Sequence, residues 1–525
     1  VLRVSLNPIE ISLFSSRIEA VCDEMGAVLR RTAFSPNIKD RLDFSCAVFD
    51  AKGQLSAQAA HIPVHLGSMA YAMADVVANI SWQPGDNMLV LNDPFLGGTH
   101  LPDVTVIAPV FIGAELMAYV ANRAHHANIG SDSPGSMPIA TELAQEGIVI
   151  APTLLVKQGN LVESVMTSLC GSDGSPQSRG DFCAQISANL IGVARLSQLI
   201  GKTQPQRYQQ LLQALNDYGE RLARATVAEI PNGVYRCADV LDDDGCGHTN
   251  IPINAVITVD EDNLTVDFAG TAAQVSGNIN CPLPVTAAAV LYVFRCLMPD
   301  HTPACAGSFR PVAIRAPKRS LVNAERPAAV AAGNVETSSR LVDVVLGALA
   351  QAIPAQIPAA SQGTMNNIAL GAMASANSPR WDYYETVGGG GGASMGGPGL
   401  SGLQCHMTNT LNTPVESLEK HYPLRINRYA LRPNSGGKGD HDGGDGVVRE
   451  FEFLRPAQIS LLTERRTHTP WGLRGGDINR DPAAAGDAGE NRLNGELLPG
   501  KCQIAVAAGD VLSLATPGGG GWSRL

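Results

Sequence analysis

The sequence predicts an α+β fold, with mixed and antiparallel sheets, packed helices and a Gly-rich, irregular C-terminal half. Three observations lead there. Long segments carry apolar residues at helical spacing, other segments alternate at strand spacing and are joined by tight turns, and the glycines cluster after residue 385. At roughly 100–200 residues per domain, a chain of 525 residues predicts about three units. The boundaries expected are 1–200, 201–330 and 331–525.

The first element is a helix. Ile11, Phe14, Ile18, Val21, Met25 and Val28 make one stripe, and Arg30 and Arg31 lie near its C-terminal end, where the helix dipole favours cations. RLDFSCAVFD at 41–50 alternates through Phe44, Cys46 and Val48 and predicts a strand. MLVLND at 88–93 predicts a strand buried on both faces, broken at Asp93-Pro94 and Gly97-Gly98. Residues 104–122 predict a hairpin turning at Gly113-Ala114, since Gly at the first turn position suits a type II′ turn. A linker is expected at 200–206. An amphipathic helix follows at 207–225, then a second hairpin at 255–268 and a helix at 335–352. No internal repeat of fixed period is present.

Composition narrows the function. The net charge is −11, from 38 basic and 49 acidic residues, which lacks the basic footprint of a nucleic-acid binder. No apolar run approaches the ~20 residues of a spanning helix, so no membrane span is expected. Eleven cysteines without a C-x-x-C pair predict neither a disulfide framework nor a zinc ribbon. With no signal peptide recognisable at the start, the expected compartment is the reducing cytoplasm. Gly201-Lys202-Thr203 resembles the end of a phosphate loop, but the position that must be Gly is Leu196, so no ATP site is expected.

The chemistry concentrates at three histidines. His100 and Asp103 form H-x-x-D within NDPFLGGTHLPDV at 92–104, and both are ligand types for Zn²⁺ or Mn²⁺. In a hairpin with a two-residue loop at Gly113-Ala114, residue i pairs with 227 − i, and Asp103 faces Ala124. One bulge, or a three-residue loop, places Asp103 opposite His125 instead. Strand alternation lets only one of His125 and His126 share a face with Asp103, leaving the other to orient a ligand or contact substrate. Asp43, Asp93, His61 and His65 are the candidates for a fourth ligand, with Asp93 also suited to capping its turn. A second polar cluster offers Glu385, His406, Asn409, Glu416 and Glu419 as substrate-contacting candidates. The adjacent run Gly388 to Gly392 suits either close backbone approach to a ligand or a flexible hinge. SGGKGDHDGGDG at 435–446 has a Ca²⁺-loop composition but no Glu at the twelfth place.

Nine ordered blocks together resemble the hydantoinase B/oxoprolinase family, from about residue 5 to the C-terminus. They are NDPFLGGTHLPDV, RAHHANIGSDSPGSMP, GNVETSSRLVDVVLGAL, PAASQGTMNN, YYETVGGGGGA, HMTNTLNTPVESLE, SGGKGDHDGGDGVVRE, ERRTHTPWGLRGG and TPGGGG. The resemblance implies a metal site on Asp43, His100, Asp103 and His125, with Zn²⁺ or Mn²⁺ as the ion, so the N-terminal part would be the metal-binding one. It implies an actin-like ATPase partner of hydantoinase A type that supplies ATP. The expected activity is ring opening of a small cyclic amide such as 5-oxoproline or a hydantoin. The alternatives are a component of an ATP-dependent ketone carboxylase, or a non-catalytic scaffold of the ATPase. Members assemble as hetero-oligomers, and a dimer of this chain is expected within one. His126, His65 and Glu385 are the candidate catalytic residues, the two histidines for proton transfer, with the Gly388 to Gly392 N–H groups near developing oxyanion charge.

Overall fold

Asn7 caps the first helix, its side chain accepting from Ile9 N, and Pro8 opens it with a pre-set φ. In the computed structural model, residues 7–59, 62–65, 67–85, 87–170, 176–374 and 379–524 are described. This helix, α1 (Pro8–Thr32), buries Phe14, Ile18, Val21, Met25 and Leu29. After the short α2 (Pro36–Lys39) comes a seven-stranded antiparallel sheet. Its strands are β1 (Phe44–Asp50), β2 (Leu55–Gln58), β3 (Met88–Leu91), β4 (Asp103–Ile112), β5 (Glu115–His125), β6 (Thr153–Lys157) and β7 (Asn160–Leu161). The order across the sheet is β2-β1-β5-β4-β3-β6-β7.

Both faces of this sheet are covered, which is why β3 is apolar throughout. On one side lies α3 (Ser68–Asn79), whose Met69, Ala72, Met73 and Val76 meet Ala47, Leu91, Ile107 and Tyr119. On the other lie α1, α4 (Glu163–Cys170) and α5 (Pro176–Thr203), with Phe182 and Ala188 against Val104, Val106 and Val120. Residues 200–206, expected as a linker, are helix instead. After α5 only Gln204, in the left-handed region at φ 71°, separates it from α6 (Pro205–Ala228). Pro205 starts α6 because its ring suits a first helical turn.

A mixed sheet follows in the order β11-β10-β9-β8, from β8 (Gly233–Asp243), β9 (Thr249–Asp260), β10 (Asn263–Asp267) and β11 (Val312–Arg315). The last pair is parallel, and α7 (Leu283–Leu297) lies in the crossover between them. A π-turn at Gly333–Thr337 leads into α8 (Ser338–Ala350), every residue of which is buried. It packs against α7 and the β8–β9 pair, so the segment after residue 330 contributes to the central core.

The C-terminal half holds β12 (Asn367–Ala372) and β13 (Trp381–Glu385), joined in one sheet by Ala457–Leu462 and Lys501–Val506. A five-stranded and a three-stranded sheet complete it. The glycine run is no hinge. A Cβ on Gly390 would lie 2.0 Å from Gly444 O, and one on Gly392 would lie 1.9 Å from Ala359 O. Among the described residues no helix is long and apolar enough to cross a membrane, and all eleven cysteines are unbridged.

Candidate metal centre

The β4–β5 hairpin decides which histidine meets Asp103. Next to the turn, Ile112 faces Glu115 and Phe111 faces Leu116; beyond it, Val110 faces Ala118 and Asp103 faces His125. The register shift leaves Met117 as the extra residue. Met117 and Ala118 both enter the core beneath α1 and α5, whereas Leu116 and Tyr119 pack on the α3 side. Two consecutive residues on one face invert the alternation for the rest of β5. Arg123 therefore reaches Ser68 Oγ of α3, Asn122 reaches Gln185 O of α5, and His125 shares the α3 face with Asp103.

His100 arrives from the loop before β4. Its Nε2 lies 3.2 Å from Asp103 Oδ1, and His125 Nδ1 lies 3.2 Å from the same oxygen. These are close to the ~3.3 Å edge of a tetrahedron with metal–ligand arms of ~2.0–2.1 Å. The His100 Nε2 is buried with no hydrogen-bond partner, although it points at a carboxylate. One ligand atom from each of His100, Asp103 and His125 falls within 4.8 Å of the others. The donor set and the orphaned nitrogen fit a divalent cation. Asp43, just before β1, offers the nearest further carboxylate, with Oδ2 4.0 Å from His125 Nδ1 and 3.8 Å from Arg41 Nη2.

The surroundings hold these groups firmly. Asp103 Oδ2 accepts from Thr99 Oγ1 at 2.6 Å and from His65 Nε2 at 3.3 Å. Since a carboxylate only accepts, His65 carries its proton on Nε2, and its Nδ1 accepts from Ser45 Oγ at 2.9 Å. Tyr384 of β13 stacks on His125, ring centroids 4.6 Å apart, and Arg41 lies over the other partner of that stack, 4.8 Å from the Tyr384 ring. Burial alone would push the Asp103 carboxyl up, but His100 and His65 beside it hold it well below its usual range. Burial lowers the His125 pKa, favouring the neutral ring whose lone pair binds a metal.

The ligand atoms face a cavity of about 20 Å³, enough for one water or one ion. The rest of its lining includes Ile62, Val64, Asn334, Val335, Met365, Thr386, Met407 and Thr408. Ile62 also lines a cleft of about 970 Å³ between α1, α6 and α7.

The other sequence candidates stand elsewhere. His126 lies on the opposite face of the sheet, 2.9 Å from Gln185 Oε1 and against the Phe182 ring, because the bulge turned it there. His126, expected as a proton-transfer residue, is therefore not among the side chains that line the cavity. Glu385 also points away: strand alternation sends it to the side of β13 opposite Tyr384, where it pairs with the buried Arg449 at 3.1 Å and accepts from Thr413 N. Asp93 caps its turn, accepting from Phe95 N, and pairs with Arg326. His61 lies outside the described residues. His406 sits 3.5 Å from Asp343, and Asn409, Glu416 and Glu419 are exposed; none of the four lines the cavity. Within the Gly388 to Gly392 run, the amides of Gly389, Gly390 and Gly391 are donated to Leu403, Pro517 and Leu400 carbonyls, so these three are not open to an oxyanion. Tyr384, Thr99 and the Met365, Met407 and Thr408 wall were not singled out from the sequence. They lie in segments far apart in the chain, where no local spacing marks them as neighbours of His125.

Comparison with known proteins agrees with this architecture. The hydantoinase B/oxoprolinase family model matches residues 7–524. The 5-oxoprolinase 1 of Arabidopsis thaliana is 39% identical over 98% of this chain, which spans only 42% of that protein. The B component of a putative D-/L-hydantoinase from Pseudomonas sp. (strain NS671) is 32% identical over 99% of this chain and 90% of its own length. The crystal structure of the ATP-dependent caprolactamase from Pseudomonas jessenii matches with a TM-score of 0.90 and 26% identity, covering 99% of this chain and 92% of that one. On the match over almost its whole length, this chain belongs to the hydantoinase B/oxoprolinase family.

Proposed function

We propose that this chain is the metal-dependent part of an ATP-driven cyclic amidohydrolase, working with an actin-like ATPase partner of hydantoinase A type. The observation that carries this is the convergence of His100 Nε2, Asp103 Oδ1 and His125 Nδ1 on a buried, ion-sized cavity. Relatives named 5-oxoprolinase, D-/L-hydantoinase and caprolactamase favour a small cyclic amide as substrate. The unbridged cysteines favour a reducing compartment, the cytoplasm.

A lactam amide is resonance-stabilised and a poor electrophile, which is the reason to couple its opening to ATP on the partner. His100, Asp103 and His125, with Asp43 as fourth, would hold Zn²⁺ or Mn²⁺. An ion there would supply Lewis acidity. His65 and Thr99 fix Asp103 by donating to its outer oxygen, so His65 acts through the ligand and is a positioning residue. Tyr384 clamps the His125 ring from its face. Ile62, Val64, Val335, Met365 and Met407 form the apolar part of the cavity lining, beside the polar Asn334, Thr386 and Thr408.

The test is metal content and coupled turnover. The purified chain is expected to carry about one divalent ion, and His100→Ala to lose it with far-UV circular dichroism nearly unchanged. With the ATPase partner added, ATP turnover should depend on a cyclic amide: 5-oxoproline, a hydantoin or a larger lactam. Full metal occupancy in His100→Ala would remove the ligand assignment. Turnover coupled to a ketone and bicarbonate would instead make the chain part of a carboxylase.

A further inference from the structure

Glu146 lies outside the cavity, directly after the short turn Leu143–Gln145, and is completely buried. Its Oε1 accepts from Val330 N and from Ala331 N, both at 2.8 Å, while its Oε2 has no partner. The carbonyl of the same Ala331 lies 3.3 Å from His100 Nδ1. Two further contacts tie the two segments together, Leu143 N donating to Pro327 O and Glu142 bridging Ala328. Ala332 N donates to Asn278 O, which fixes the far end of the peptide carrying the Ala331 carbonyl.

From this relay we infer that Glu146 is a positioning residue for the metal centre: by anchoring the Val330 and Ala331 amides it presents the Ala331 carbonyl to His100 and so fixes which nitrogen of that ring is free. This rests on the metal reading proposed above. A neutral imidazole offers an Nε2 lone pair only when the proton is on Nδ1, and that proton needs an acceptor. The Ala331 carbonyl is the acceptor, and Asn278 O holds only the N–H end of its peptide, so the residue that carries the carbonyl needs an anchor of its own. Glu146 is that anchor, with one oxygen taking two amides. Burial pushes its carboxyl up to about 8, and a protonated Glu146 still accepts through its carbonyl oxygen. Gln is therefore a faithful replacement and Ala is not.

The experiment compares the whole chain with Glu146→Gln and Glu146→Ala. Zn²⁺ and Mn²⁺ affinities are measured by titration of the metal-free proteins, and the Co²⁺ absorption spectrum reports the ligand field. In parallel, ¹⁵N-histidine NMR of the metal-free proteins reads the His100 tautomer, assigned by its loss in His100→Ala. Glu146→Ala should bind metal about 10–100-fold more weakly, as for loss of a group that orients a ligand. It should also show an altered Co²⁺ spectrum and a mixed His100 tautomer. Glu146→Gln should stay within about threefold of wild type and keep the proton on Nδ1. If Glu146→Ala does not fold, Glu146→Asp, which retracts the oxygen by one methylene, carries the same expectation. Val345→Ala, a cavity in α8, should lower the melting temperature without changing metal affinity. Wild-type affinity and tautomer in Glu146→Ala would overturn the inference, as would Glu146→Gln failing as badly as Ala. A wild type that holds the Nδ1 proton but binds no metal would overturn the metal reading while supporting the relay.

Discussion

His125 and His126 are adjacent in the chain, equally buried, and chemically identical, yet only one can serve the metal. His125 has Asp103 beside it and Tyr384 on its face; His126 has Gln185 and Phe182 of α5. His125→Ala is expected to weaken metal binding by at least ~10–100-fold. His126→Ala should keep the metal and cost about 1–3 kcal/mol of stability, because the buried Gln185 amide oxygen loses its donor. Metal stoichiometry and urea unfolding on both variants check this. Metal lost from His126→Ala and kept in His125→Ala would reverse the assignment.

At the scale of the element, the same choice follows from how β5 accommodates one residue far from either histidine. Met117 is the extra residue of β5, sharing its face with Ala118, and without it the alternation from Tyr119 to His125 would still be regular. Deleting Met117 therefore removes the bulge while Val110 still faces Ala118 and Asp103 still faces His125. The deletion should retain bound metal and lose about 1.5–3 kcal/mol for a buried apolar side chain. Metal analysis beside a melting curve reads both. Loss of metal from a folded deletion variant would mean that the bulge shapes the site beyond setting its register. The other element-scale lesson is the junction at 200–206. Its Gly, Gln and Pro suggest a linker, but each residue has a helical use there: Gln204 takes the single left-handed turn and Pro205 opens α6.

Across the whole molecule, the C-terminal glycines act as a packing material. Gly390 N donates to Pro517 O, Gly391 N to Leu400 O, Gly437 N to Gly519 O, and Gly519 N to Gly444 O, so the segments near 390, 400, 440 and 519 bond backbone to backbone. At Gly390, Gly444 and Gly519 no side chain fits between them. Gly390→Ala would place its Cβ 2.0 Å from Gly444 O and 2.2 Å from Gly519 N, whereas Gly391→Ala would come no nearer than 3.3 Å to Leu400 O. The first is expected to cost about 3 kcal/mol or more, or to prevent folding, and the second about 1 kcal/mol or less. Equal unfolding midpoints for the two variants would contradict this picture. β13, whose Tyr384 covers His125, runs directly into this layer, so the layer's rigidity bears on the centre as well.

The sequence by itself determined the α+β class, the helix stripe of α1, the β4–β5 hairpin and the His100–Asp103 pair, because periodicity, turn residues and short spacings are local properties of a chain. It also narrowed the partner of Asp103 to two neighbouring histidines, and the resemblance pointed to His125. The tertiary structure decided the rest. The bulge at Met117 is invisible to pattern because Met117 and Ala118 are both apolar, and only the two packed layers show that they share a face. Tyr384 reaches His125, and the Ala331 carbonyl reaches His100, across more than two hundred residues. Glu385 carries the same chemistry as a catalytic carboxylate, and only its placement against Arg449 assigns it to the interior. Such meetings depend on how sheets stack and which face each strand turns inward. That information lies in long-range burial of apolar area, which acts on the whole chain at once and leaves no mark on the spacing of any one segment.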